Sequence, residues 1–183
     1  MLTMDAITLL KTDHKAVEKL FKEFEKAGPE ANITRRRIVD RITAELSVHA
    51  AIEEQHFYPA VRALVQSQEE LALESIEEHH IVKWVLSELE GRDPSDERFE
   101  PKVTVLIEMV RHHVEEEETE LFPAVREAVG RKKLGEIGDA MAEAKKTAPQ
   151  RPHPRSPDTP PANMVVGAIA GAIDRVREKV QGS

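Results

Sequence analysis

The chain has 183 residues, a third of them charged, only 4% aromatic and none of them cysteine. Such a composition suits long solvated helices, each with one apolar face, and it excludes disulfides, zinc ribbons and iron–sulfur clusters. The net charge of −8 is uneven: residues 1–130 hold 28 acids against 16 bases, whereas 131–183 hold 6 against 10. An acidic main domain argues against nucleic acid as a partner, because phosphate binding needs a basic surface. The first fourteen residues, MLTMDAITLLKTDH, mix charges without a long apolar run. They read as neither a signal peptide nor a membrane span, so a cytoplasmic protein with no membrane partner is expected.

The pattern predicts four long helices. The first runs from about Asp5 to Ala27, with Ile7, Leu10, His14, Val17, Phe21 and Phe24 on one face, and stops at Gly28-Pro29. Asn32 or Thr34 is expected to cap the second, whose stripe is Ile38, Ile42, Leu46, His49, Glu53, His56 and Ala60; Arg35-Arg36-Arg37 at its start reads as a solvated face. The third carries Ile76, His79, Val82, Leu86 and Leu89 and ends at Gly91. Ser95 or Asp96 is expected to cap the fourth, whose stripe runs Val103, Leu106, Val110, His113, Glu117, Leu121, Ala124 and Ala128 before Gly130. Pro59 and Pro123 fall inside the second and fourth helices and should bend them.

No strand-like alternation is present, so the fold class is all-α: an antiparallel up-down four-helix bundle over residues 1–130, with additional C-terminal helices. An extra helix is expected over 131–147. Residues 148–162 hold six prolines and read as an extended linker. The remainder, 163–183, reads as an amphipathic helix with Val166, Ile169, Ile173, Val176 and Val180 on one side. It is expected to dock on the bundle or on a neighbouring copy of the chain, which would make it a homo-oligomer contact.

Two segments repeat one pattern: His49-Ala-Ala-Ile-Glu53-Glu54 with Tyr58-Pro59, and His113-Val-Glu-Glu-Glu117-Glu118 with Phe122-Pro123. A histidine and a glutamate four residues apart lie about 40° from each other on one helix face. Asp13-His14 and Glu78-His79 repeat in the first and third helices, so a helical hairpin is used twice. Counting outward from the turns near residues 30 and 94 puts His14, His49, His79 and His113 at heights that differ by about 5 Å at the usual helical rise. His14, His49, Glu53, His79, His113 and Glu117 can therefore meet in one layer. A set of imidazoles and carboxylates without thiolate suits iron, manganese or zinc.

Several neighbours are less determined. His56, seven residues past His49, is either a further ligand or a group hydrogen-bonded to a ligating carboxylate. Glu54 and Glu118 point about 140° from His49 and His113 and read as surface groups or as hydrogen-bonding partners of the ligands. Tyr58 reads as packing at the bend or as a phenolate near the metal, and Trp84 as packing on the bundle or its extra helices. His80 and His112 should lie near the surface, and His153 in solvent. The alternative ferritin-like rule finds Glu53-x-x-His56 and Glu77-x-x-His80 but no such motif in the fourth helix.

The order and spacing of these motifs over about residues 5–128 resemble the hemerythrin-like, or HHE cation-binding, family. The resemblance implies a four-helix bundle holding two iron ions, oxo- or hydroxo-bridged, that meet peroxide, dioxygen or nitric oxide. It makes His14, His49, His79 and His113 terminal ligands and Glu53 and Glu117 bridges. The oxygen-carrying members have a second histidine four residues after the third-helix one, where this chain has Lys83. They end the fourth-helix motif with an aspartate at the fifth position, where this chain has Glu117 at the fourth and Glu118 at the fifth. One imidazole is therefore missing, which favours catalase-like reaction with peroxide, or with nitric oxide, over binding, sensing or carriage of dioxygen or iron. Lys83 could steady a bound anion by charge or pack with its amine at the surface.

Overall fold

The computed structural model describes residues 4–181, and no strand occurs among them. Helix α1 (Ala6–Lys26) starts where Asp5 accepts a hydrogen bond from the Thr8 amide at 3.0 Å, a standard way to satisfy an unpaired first-turn donor. Helix α2 (Asn32–Ile52) begins without a side-chain cap, contrary to the role expected of Asn32 or Thr34. It leads through a π-helical turn, residues 53–57, into α3 (Tyr58–Leu64). Helix α4 (Glu69–Leu89) ends before Gly91, whose φ of 67° lies in the left-handed region that favours glycine. Helix α5 (Phe99–Glu116) passes through a second π turn, residues 117–121, into α6 (Phe122–Val129). Asp96, one of two expected caps of the fourth helix, accepts from the Arg98 amide just ahead of α5 at 2.8 Å.

The two prolines thus widen their helices. Proline has no N–H, and its ring would strike the carbonyl four residues earlier in a regular helix. In each case the residue just before it bonds back five residues instead of four: Tyr58 N–H to Glu53 O, and Phe122 N–H to Glu117 O. Each widened turn opens on the glutamate of a His-x-x-x-Glu pair.

Helices α1, α2–α3, α4 and α5–α6 form the antiparallel bundle. Its apolar core is divided. One cluster gathers Ile7, Leu10, Ile52, Phe57, Val61, Phe122 and Val125, joined by Leu134 and Met141. The other gathers Phe21, Phe24, Ile42, Leu86, Phe99, Val103 and Leu106. The layer between them holds buried polar groups. Arg35 and Arg36, expected in solvent, turn inward. The Arg35 guanidinium lies 4.9 Å from the Phe24 ring centroid and bonds Pro29 O and Glu100, and Arg36 donates to Leu89 O at 2.8 Å. Only Arg37 of the three is exposed.

Helix α7 (Arg131–Lys145) packs on α1, α2 and the first π turn. Gly138 permits that approach, because a β-carbon there would meet Met4 O at 2.3 Å. Residues 146–161 are irregular, but Ala148, Pro149 and Pro152 are buried, so this segment follows the protein surface and is not a free tether. Helix α8 (Ala162–Gln181) touches the first π turn. Its buried face is Asn163, Ala170, Gly171 and Asp174, whereas Ile169 and Ile173 of the predicted stripe face outward. The side chains of Val176 and Val180 lie outside the described residues.

Candidate metal centre

The four bundle helices bring His14, His49, Glu53, His79, His113 and Glu117 into the polar layer, each at most 5% exposed. Ring centroids are 5.0 Å apart for His14 and His49, 4.8 Å for His79 and His113, and 6.3 Å for His49 and His79. Two groups of ligand-type atoms result, each within 4.8 Å: His14, His49, Glu53 and Glu117 in one, and Glu53, His79 and His113 in the other. Glu53 belongs to both. His49 Nε2 lies 3.0 Å from Glu53 Oε2, and His14 Nε2 3.3 Å from Glu117 Oε2.

These approaches are not hydrogen bonds. Among the described residues, His14 Nε2, both ring nitrogens of His49, Glu53 Oε1 and Glu117 Oε2 are buried with no hydrogen-bond partner. Buried polar atoms are normally paired, because leaving one unpaired costs about 1–3 kcal/mol, and more when charged. Several converging on one layer fit cations that would take their lone pairs. Electrostatics agree. Burial and the charge of Glu117 push the Glu53 carboxyl up. Burial opposes charge on Glu117 as well, but the His113 and His14 imidazoles outweigh it and hold that carboxyl low. His79 is driven well below the usual imidazole range by burial and the charges of His113 and His49, so its lone pair is available.

A second ring of carboxylates orients the imidazoles. His14 Nδ1 donates to Glu118 at 2.9 Å, His79 Nδ1 to Glu54 at 3.1 Å and His113 Nδ1 to Glu78 at 2.6 Å, while His49 Nδ1 lies 3.9 Å from Asp13. Such bonds leave the other nitrogen as acceptor and fix the ring plane. Glu54 and Glu118, which a helical wheel leaves between surface and site, are thus partners of ligand-type histidines on the adjacent helices. Glu54 is buried, and burial lifts its carboxyl to about 8 against the pull of Lys83.

Three expectations change. Tyr58 does more than pack at a bend. It is fully buried and donates to Glu117 Oε1 at 2.9 Å, with Glu53 Oε2 and His79 Nε2 each 3.4 Å away. Burial and the Glu117 charge keep it a neutral phenol. His56 belongs to neither ligand group: it lies within the π turn, which spoils the seven-residue alignment with His49 on which its candidacy rested. Lys83 neither reaches the site nor lies free at the surface. It donates to Glu54 at 2.7 Å and to Asp158 at 2.6 Å. Of the peripheral histidines, His112 is exposed as expected and His80 is half-exposed beside Asp158; His153 is half-buried, 3.4 Å from Asp174. Trp84 is exposed, with Arg155 6.0 Å from its ring. A cavity of about 20 Å³ lies against the four imidazoles, walled by Val17, Leu46, Val82 and Val110. That is room for about one water-sized molecule.

Fold and site define a four-helix protein of a metal-binding class, and sequence comparison states which. Residues 5–125 match the model of the hemerythrin HHE cation binding domain, and the chain belongs to that family. It is 25% identical over 170 residues to an uncharacterized hemerythrin-like protein of Schizosaccharomyces pombe, covering 92% of this chain and 83% of that one. It is 27% identical over 148 residues to a DNA nickase of Nostoc, covering 81% of this chain but only 41% of the nickase. Its fold is similar to the crystal structure of a hemerythrin HHE cation binding domain-containing protein from Mycobacterium kansasii, with a TM-score of 0.65, 26% identity, and 78% and 85% of the two chains covered. No described helix is long and apolar enough to cross a membrane.

Proposed function

We propose that His14, His49, Glu53, His79, His113 and Glu117 hold two iron ions and that the centre decomposes hydrogen peroxide. The observation that carries this reading is the inequality of the two ligand groups. One offers four residues and the other three, with Glu53 common to both. Lys83, which stands where oxygen-carrying relatives have a further imidazole, is held away by Glu54 and Asp158 and supplies nothing in its place. One ion would thus keep positions open to a small molecule. Bound iron would supply the change of oxidation state that disproportionation of peroxide to water and dioxygen requires.

The chain's own groups contribute positioning, exclusion and a proton. Glu118, Glu54 and Glu78 fix the imidazoles of His14, His79 and His113 by hydrogen bonds, and Asp13 lies 3.9 Å from His49. Val17, Leu46, Val82 and Val110 keep the cavity apolar and limit it to molecules of peroxide, dioxygen or nitric oxide size. Tyr58 donates its phenolic proton to Glu117 across an oxygen–oxygen distance of 2.9 Å, which puts a neutral donor in the layer.

The test is elemental analysis of protein from iron-supplied cells, followed by oxygen-electrode traces with peroxide. About two irons per chain are expected, with dioxygen release that falls with metal content in His79→Ala. One metal per chain, or mainly zinc, sinks the two-iron assignment. A loaded protein that evolves no dioxygen above free iron, yet binds dioxygen reversibly when reduced, replaces the enzyme with a binding protein.

A further inference from the structure

The four imidazole–carboxylate pairs differ in what backs the carboxylate. Glu118 has Lys11 at 3.4 Å, Asp13 has Lys145 at 2.5 Å and Glu54 has Lys83 at 2.7 Å. A cation behind each carboxylate offsets the cost of its burial. Glu78, bonded to His113 through Oε2 at 2.6 Å, departs from the pattern: among the described residues no lysine or arginine lies within ion-pair distance of it. Its other neighbours are His112 and Glu116, one turn apart on α5 and 3.5 Å from each other. One ligand atom from each of Glu78, His112 and Glu116 falls within 4.8 Å of the others. Two carboxylates brought so close repel one another unless a positive charge joins them.

We propose that Glu78, His112 and Glu116 form a third, exchangeable site for a divalent cation on the outside of the bundle, and that it is the way in for metal bound for the buried layer. One imidazole and two carboxylates, half open to water, suit borderline ions of the zinc, iron(II) or manganese(II) class, with water completing the coordination. The cation takes the place that lysine occupies behind the other three carboxylates. Glu78 links outside to inside, because the oxygen that His113 does not use remains for the outer ion. The loading role rests on the buried-centre reading above; the outer site itself does not.

The test uses the full chain carrying its own metal, dialysed against zinc and then washed briefly with chelator. The unsubstituted protein should release one zinc per chain more than His112→Ala or Glu116→Gln, while the metal retained after the wash is equal in all three. Metal-free protein given iron(II) anaerobically should then fill several-fold more slowly in His112→Ala, reaching the same final content. Equal exchangeable zinc in all three proteins overturns the site, and an unchanged filling rate overturns the loading role. Failure of the buried-centre reading would appear separately, as little retained metal in the unsubstituted chain.

Discussion

Replacing Tyr58 with phenylalanine removes one oxygen and leaves the ring in place, so no cavity of consequence forms. What is lost is the hydrogen bond to Glu117 Oε1 at 2.9 Å, inside a layer where Glu117 Oε2 already has no partner. A bond to a charged acceptor contributes about 1.5–3 kcal/mol. Relief of the phenol's own desolvation returns part of that, which puts the expected loss near 2 kcal/mol for the metal-free protein. In a chain of this size each kcal/mol moves Tm by about 2–4 °C, so metal-free Tyr58→Phe should melt about 4–8 °C lower. With metal bound, Glu117 has a cation to face and the difference should shrink to about 1 kcal/mol or less. Paired calorimetry of the metal-free and loaded proteins measures both values. A metal-free variant that melts within 1 °C of the unsubstituted protein, or one that loses equally in both states, refutes the reasoning.

Under the proposed ligation Glu53, common to both groups, should be the costliest of the six side chains to lose: Glu53→Ala is expected to retain almost no metal, whereas Glu117→Ala keeps more, as elemental analysis will read. His80→Ala should retain metal fully, because its imidazole faces Asp158. Arg111 hydrogen-bonds Glu18 and holds its carboxyl below the usual range, against a smaller opposing effect of burial. Its stabilisation is therefore present above the unfolded-state value near pH 4.3 and is lost as pH falls through the lower folded-state one. Arg111→Gln should flatten that acid limb by no more than about 1 kcal/mol, since the pair is exposed, and urea titrations from pH 2 to 6 would show it. Gly138→Ala drives a β-carbon against Met4 O and Ala6 N and should destabilise the docking of α7 by about 1–3 kcal/mol in urea unfolding.

The layer was legible because its residues violate a pattern. His14, His49, His79 and His113 occupy positions where the stripes demand leucine or isoleucine, and similar counts from the turns place them near one height. What the sequence left open at Tyr58 and His56 has a single cause. A wheel drawn at 3.6 residues per turn carries His56 back over His49 and leaves Tyr58 elsewhere, whereas the π turn over residues 53–57 adds a residue and exchanges their places. The signal was Pro59, read only as a bend, which also marks a widening. Phe122 repeats the arrangement: it follows the second π turn and stacks on His14 at 5.7 Å, as Tyr58 lies 5.5 Å from His79. Arg35 lies three residues before Ile38 on the buried stripe, and Arg36 three before buried Val39, but their charges argued for solvent. Their inward turn depends on the Phe24 and Phe99 rings and on the Pro29, Leu89 and Arg92 carbonyls, all supplied from elsewhere in the chain.

Lys145 and Asp158 lie beyond the four bundle helices and beyond residues 5–125, yet each ends at the edge of the polar layer. Lys145 reaches Asp13, beside His49, and Asp158 reaches Lys83, which grips the Glu54 bonded to His79. With ions in the layer, their affinity and the seating of the tail would be linked quantities, each shifting the other by the same free energy. A shortened protein ending near residue 130 would keep every ligand-type side chain and still release its ions more readily. Conversely, the loss of ions should loosen α7 and residues 146–161 first, where their amide protons would exchange sooner than those of α1 or α5.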